Sequence, residues 1–197
     1  MKRKKLEVPL TKQIAISAIL LAICIASQFF KNLSVYITGP IINLCLILCV
    51  MMAGFNWALI LSMITPVTAF LITGNPLMSA VPWIILLIML GNVVFVFMAD
   101  FFFRPAISDR RPLISARSIV AALMCCLAKG IFMGVTISLI LLPLMIPEAS
   151  PLREKMSVFQ MTFSVVQFVT AVIGFVYFYL IWKPLKKAVM PDVKRED

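Results

Sequence analysis

One lysine lies in the middle of a long apolar stretch, and its charge is the clearest candidate for chemistry in this sequence. Residues 123–134 read LMCCLAKGIFMG, with Lys129 near the centre. Arg117 is twelve residues earlier, which corresponds to a rise of about 18 Å in a helix. If this stretch crosses a membrane, Lys129 lies near the midplane, where inserting a lysine costs roughly 2.5–3.5 kcal/mol. We therefore expect its ammonium to face the protein interior or a wet cavity.

The other apolar stretches offer Lys129 no acidic residue at a comparable depth. An external anion, or at least a strongly polar group, is then the natural partner of the ammonium. Two alternatives stay open at this point. The lysine either bonds to backbone carbonyls and only fixes helix packing, or it pairs with an acid on the helix of a partner protein.

Polar residues near the end of the chain follow a helical spacing. Gln160, Ser164 and Gln167 continue into Ala171 and Gly174 at steps of four, three, four and three residues. This spacing predicts a single polar-to-small face along one helix. We expect that face to contribute donors and acceptors to a substrate site.

Two asparagines and two loop residues complete the predicted substrate site. Asn43 follows Gly39-Pro40, and Asn92 lies within the apolar stretch that begins near residue 81. Each amide alone is more typical of contacts between helices, but together with Lys129 they describe converging polar groups. Asn75 and Trp83 would close such a pocket, although Trp83 is equally typical of the aromatic belt at a membrane surface.

The composition argues against most catalytic and metal sites. The chain has no histidine and only eight acidic residues, so imidazole-based metal sites are excluded and carboxylate pairs are scarce. It also lacks the GxxxxGK[ST] pattern that cradles ATP phosphates. The five cysteines all lie in apolar runs, where cysteine behaves as a small hydrophobe. We therefore predict no catalytic residues, no metal and no cofactor, and a protein that is not an enzyme.

The elements that position these residues are six apolar stretches. Of the 197 residues, 62% are hydrophobic, well above the level of soluble domains. We predict an all-α integral membrane protein, with one domain over 1–197 and basic tails at 1–12 and 183–197. The predicted spans are 14–30, 41–53, 57–72, 81–103, 118–146 and 157–182.

Charge predicts the orientation of these spans. With six spans, fourteen bases fall on one side and three on the other, so the positive-inside rule makes both termini cytoplasmic. Merging the second and third spans across Gly54–Asn56 would place the arginine-rich loop outside. The bases lie at span ends instead of along one face, so the net charge of +10 does not predict nucleic-acid binding.

Small residues on the first span form a ladder of Ala18, Ala22 and Ala26. Such spacing lets helix backbones approach closely in lipid, either within the protein or with a partner helix. The ladder, the six short spans and the segments ITGPIINLCLILCV, PWIILLIMLGN, CLAKGIF and VVQFVTAVIG resemble the substrate-binding S component of energy-coupling factor (ECF) vitamin transporters. The resemblance covers roughly residues 12–182.

The resemblance implies a function that composition alone does not give. An S component of the bacterial plasma membrane captures a vitamin or related micronutrient from outside. It then topples against a transmembrane coupling subunit driven by two ATPase subunits. By this resemblance Ala18, Ala22 and Ala26 would contact the coupling subunit, and Lys129, Asn92 and Gln167 would contact the ligand, with loops 31–40 and 73–80 as lids. The competing interpretation is a non-transporting membrane scaffold, in which Lys129 pairs with an acid of a partner helix.

Overall fold

The computed structural model describes residues 8–30, 35–107 and 112–189, and every regular element within those ranges is helical. Part of the charge pattern used above lies outside the described residues. These bases are Lys2, Arg3, Lys4, Lys5, Lys31, Arg110, Arg111, Lys194 and Arg195.

Within the described ranges, six segments are long and apolar enough to cross a membrane, which confirms the predicted number of spans. The helices are α1 Leu10–Gln28, α2 Val35–Met52, α3 Phe55–Thr73, α4 Pro76–Ala80, α5 Trp83–Ala106, α6 Ala116–Met145, α7 Met156–Phe163 and α8 Val165–Val189. The six segments are α1, α2, α3, α5, α6 and the segment Arg153–Val189, which contains α7 and α8.

The division between the second and third spans occurs at a glycine, as the sequence predicts. Gly54 has a φ of 102°, a backbone conformation that favours residues without a Cβ atom. It lies two residues after Met52, the last residue of α2, and directly precedes Phe55, the first residue of α3. The chain therefore turns here instead of forming one over-long helix.

The start of the second span differs from the prediction. The sequence places Gly39 and Pro40 in an outer connection, whereas the structure places both inside α2, which begins at Val35. Proline is tolerated within membrane helices because neighbouring groups satisfy the freed backbone atoms. The loop predicted over 73–80 likewise contains the short helix α4, which Asn75 caps through its side-chain oxygen.

The second span is the central helix of the bundle. In its most hydropathic window, 61% of the residues are buried, against 28% for α1. It packs against α1, α3 and α8. This position explains why a residue of α2 can meet side chains from the later spans.

The buried apolar residues form two clusters that meet the same helices at different heights. On α6, Ala121, Ala122, Cys125 and Cys126 belong to the first cluster, whereas Met133, Ile137 and Leu142 belong to the second. On α5, Ile84 lies in the second cluster and Phe95 in the first. Lys129 and Asn92 fall between the two clusters on their respective helices.

Candidate functional site

The side chain of Lys129 is buried at 3% exposure and is held by two amide oxygens. Its Nζ donates to Asn43 Oδ1 at 2.6 Å and to Asn92 Oδ1 at 2.8 Å. It also lies 5.2 Å from the centre of the Phe95 ring, within the range of a cation–π contact. Among the described residues no carboxylate comes within 4 Å of this nitrogen. The Lys129 nitrogen is therefore surrounded by neutral groups, and none of these groups supplies an opposite charge.

A chain of hydrogen bonds sets the orientation of the Asn43 amide. Its Nδ2 donates to Thr170 Oγ1 at 3.4 Å, and that hydroxyl donates to the carbonyl oxygen of Gln167 at 3.1 Å. With its nitrogen directed to Thr170, the amide presents its oxygen to Lys129. Helix α8 thus determines which atom of an α2 side chain faces the ammonium.

Two glycines allow α2 and α8 to approach closely enough for this contact. A Cβ atom at Gly39 would lie 2.8 Å from Thr170 Cγ2. A Cβ atom at Gly174 would lie 2.9 Å from Asn43 Cβ and 3.2 Å from the Pro40 carbonyl oxygen. All three distances are shorter than ordinary packing allows, so any side chain at these positions would push the helices apart.

Lys129, Asn43 and Asn92 line a cavity of about 150 Å³. Residues of the second to the sixth span form its wall, together with Asn75 and Met78 of the α4 segment. Apolar groups such as Pro66, Ala69 and Ile88 form much of the remaining wall. The cavity therefore combines one cationic donor, several neutral polar groups and an apolar lining, which is the usual composition of a small-molecule site.

The structure brings five of the eight predicted substrate-site residues to this cavity. They are Asn43, Asn75, Asn92, Lys129 and Gln167. The side-chain oxygen of Asn75 accepts from the backbone N–H of Leu77 at 2.9 Å, so this residue also fixes α4 beside the cavity.

The other three predicted residues, Gln160, Ser164 and Trp83, do not line the cavity. Gln160 Nε2 donates to the Ser138 carbonyl oxygen at 3.0 Å, and Ser138 Oγ donates to the Gln160 carbonyl oxygen at 2.8 Å. These reciprocal bonds fasten α7 to α6. Trp83 is 60% exposed at the start of α5, a position typical of an aromatic belt.

The predicted continuous face from Gln160 to Gly174 is wrong because the helix is interrupted at Ser164. This residue has φ −117° and ψ −86°, and it separates α7 from α8. Its hydroxyl donates back to the Gln160 carbonyl oxygen at 2.6 Å, a bond that competes with regular helix geometry. The interruption sends Gln160 toward α6 and leaves Gln167 at the cavity.

Sequence reasoning missed three residues that shape the site: Phe95, Thr170 and Thr65. Phe95 is three positions after Asn92, and Thr170 is three positions after Gln167, so helical spacing alone could have indicated both. Thr65 lines the cavity from α3. Its only signal in the sequence is a hydroxyl residue directly before Pro66 within an apolar span.

The three alanines of the predicted ladder all lie on the exposed side of α1. Large apolar neighbours on that helix, Ile19 and Ile23, are 62% and 45% exposed. In contrast, the glycine pair of α6 is used internally, since Cβ atoms at Gly130 and Gly134 would meet Phe168 and Ser164 of the sixth span. The α1 face is thus available to lipid or to another protein.

The described residues contain no group of three or more side chains suited to hold a metal ion, and the five cysteines are unpaired and buried. In comparisons with known proteins, no family model, no curated protein and no solved structure matches this chain.

Proposed function

We propose that this protein is a membrane-embedded binding subunit that captures a small anionic, carboxylate-bearing solute in the Lys129 cavity. The observation that carries the proposal is a buried ammonium at the cavity wall with two neutral acceptors and no carboxylate among the described residues. Two of its three N–H groups are used by Asn43 and Asn92. The third is free for a solute, and the uncompensated charge favours an anion.

The resemblance to ECF S components supports a role in nutrient uptake. Under this proposal the solute is a vitamin or related micronutrient that enters from outside the bacterial plasma membrane. A transmembrane coupling subunit and two ATPase subunits then drive its delivery. The exposed alanine face of α1 is the surface offered to the coupling subunit, and both termini lie in the cytoplasm.

The alternative role of a membrane scaffold fits the geometry less well. In that role Lys129 would pair with an acidic side chain on a partner helix. The lysine is instead enclosed by residues of α2 and α5 and is only 3% exposed, so a helix packed on the outside of the bundle does not reach it. A solute that enters the cavity does reach Lys129, because this residue lines the cavity wall.

Mass spectrometry of small molecules released from the purified protein tests the proposal. We expect the wild type to release a carboxylate-bearing solute in near-stoichiometric amount, and Lys129→Met to release at least tenfold less. The loss of one charge-assisted hydrogen bond, worth about 1.5–3 kcal/mol, is enough for this change. The matched control is Lys155→Met, because Lys155 is an exposed lysine near the start of the sixth span.

Equal release from the wild type and Lys129→Met would contradict the assigned site. An empty wild type, together with a co-purifying membrane protein that is lost from Lys129→Met, would instead support the scaffold. Size-exclusion profiles of the three proteins establish that each variant is folded before the comparison is made.

A further inference from the structure

Besides Lys129, the cavity wall contains a buried polar residue whose hydroxyl has no hydrogen-bond partner among the described residues. Thr65 is 1% exposed, and its Oγ1 has no hydrogen-bond partner among the described residues. A buried hydroxyl without a partner carries an uncompensated cost of desolvation. Thr65 is also one of the residues that line the cavity.

The behaviour of neighbouring threonines makes Thr65 distinctive. Thr68 Oγ1 donates to the Thr65 carbonyl oxygen at 3.1 Å, and Thr73 Oγ1 donates to the Ala69 carbonyl oxygen at 2.7 Å. These bonds to the preceding turn are the usual way in which a helix satisfies a threonine hydroxyl. Thr65 makes no such bond, although Pro66 lacks the N–H that would normally bond to the Ser62 carbonyl oxygen.

The residue that fixes the backbone of Thr65 is itself buried. Gln28 of α1 is fully buried, and its Nε2 donates to the Thr65 carbonyl oxygen at 3.0 Å. This contact holds the α3 backbone against α1 at the height of the cavity. The Thr65 backbone is therefore held in place, whereas the Thr65 hydroxyl makes no hydrogen bond within the described residues.

The volume of the cavity limits the solute. At about 150 Å³ it is below the usual range of small-molecule pockets, roughly 300–1,000 Å³. An apolar cavity of about 150 Å³ engineered in another protein holds one benzene molecule. A body of about the size of a single ring therefore fits within this cavity.

Building on the proposed function, we propose that the solute is a single-ring or similarly compact monocarboxylate with a second polar group. Its carboxylate binds Lys129 Nζ, its second polar group hydrogen-bonds with Thr65 Oγ1, and its body packs against Pro66, Ala69 and Ile88. Thr65 is a specificity-determining residue in this arrangement. It distinguishes a solute with a carboxylate at one end and a second polar group at the other, here called two-ended, from an acid of the same size with a carboxylate alone.

Calorimetric titration with a defined set of probes tests this inference. The probes are benzoate, its three hydroxy isomers and the three pyridine carboxylates, added to the purified, solute-free protein. We expect at least one two-ended probe to bind about fivefold more tightly than benzoate, the gain typical of one net hydrogen bond. Thr65→Val should remove this advantage over benzoate, whereas Thr65→Ser should retain it.

Thr68→Val is the matched control, because its hydroxyl lies on the same helix but is bonded to the backbone and does not line the cavity. It should preserve the preference for the two-ended probe. Thermal unfolding of the empty protein provides a second readout. Since the Thr65 hydroxyl has no partner in the described part of the chain, Thr65→Val should not lower the midpoint.

The outcomes separate this inference from the proposed function. A preference that survives Thr65→Val, or no preference over benzoate, overturns the role of Thr65 while Lys129-dependent binding remains intact. If no probe binds but a released solute depends on Lys129, the solute class is wrong and the binding function stands. If no probe binds and no solute is released, both proposals fail.

Discussion

The ammonium of Lys129 is stabilised by dipoles instead of by an opposite charge. Asn43 and Asn92 each present an amide oxygen, and Phe95 presents a ring face. These groups offset part of the cost of placing a charge in the membrane without neutralising it. A carboxylate that enters the cavity can therefore pair with the ammonium, because no described residue already places an opposite charge beside it.

Converting Asn92 to aspartate should destroy anion binding by supplying an internal counter-charge. Asn92 Oδ1 already lies 2.8 Å from Lys129 Nζ, so Asn92→Asp places a carboxylate at the ammonium with little movement. We expect the dissociation constant of the released solute, measured by calorimetry, to rise at least tenfold, while the thermal midpoint is unchanged or higher.

Asn75→Asp is the control, because it adds the same charge at another cavity residue whose oxygen caps α4 instead of meeting Lys129. It should affect binding less than Asn92→Asp. Unchanged affinity in Asn92→Asp would show that the ammonium does not attract the solute by its charge.

Helix packing determines which polar residues reach the cavity, and the sequence predicts this only in part. The depth of Lys129 and its placement with Asn92 and Asn43 follow from hydropathy and from the cost of a membrane charge. The interruption at Ser164 does not follow, because serine also occurs within continuous helices and the spacing from Gln160 to Gly174 fits one face. The role of Thr65 cannot be predicted from the sequence either, because only the contacts in the structure show that its hydroxyl lacks a partner among the described residues.

The close crossing of α2 and α8 should be sensitive to one added methyl group. Gly174→Ala introduces a Cβ atom 3.2 Å from the Pro40 carbonyl oxygen and from the Leu44 amide nitrogen, and these backbone atoms cannot move independently of α2. We expect a loss of about 1–3 kcal/mol in unfolding free energy, as for other overpacked sites, and weaker solute binding because Asn43 is displaced.

Val176→Ile adds a methyl group to the same helix at a position that is 50% exposed, and it should leave both quantities unchanged. Thermal unfolding and calorimetry of the two variants make the comparison. If Gly174→Ala bound solute with wild-type affinity, the α2–α8 crossing would not be what positions Asn43.

The molecule as a whole presents two separate surfaces, the Lys129 cavity and an exposed alanine face on α1. The cavity wall contains no residue of α1, and the alanines face away from the bundle. Under the proposed function these surfaces perform different tasks, solute capture and docking to the coupling subunit. A substitution on one surface should therefore leave the other task intact.

Ala22→Leu should separate binding from uptake. The added side chain fills the face over which a partner helix would pack closely, so ATP-driven uptake with the coupling subunit and both ATPases should fall at least tenfold. Solute affinity of the isolated protein should not change. Val176→Leu, on an exposed part of α8, controls for added bulk in lipid, and equal uptake by the two variants would assign the docking surface elsewhere.

The most direct test of the central claim is an experimental structure of the wild-type protein purified with its native solute. We predict solute density inside the cavity, with a carboxylate oxygen about 2.8 Å from Lys129 Nζ, the usual length of a charge-assisted hydrogen bond. Solute density at another site, with Lys129 bonded to Asn43 and Asn92 alone, would contradict the account and leave the lysine a purely structural role.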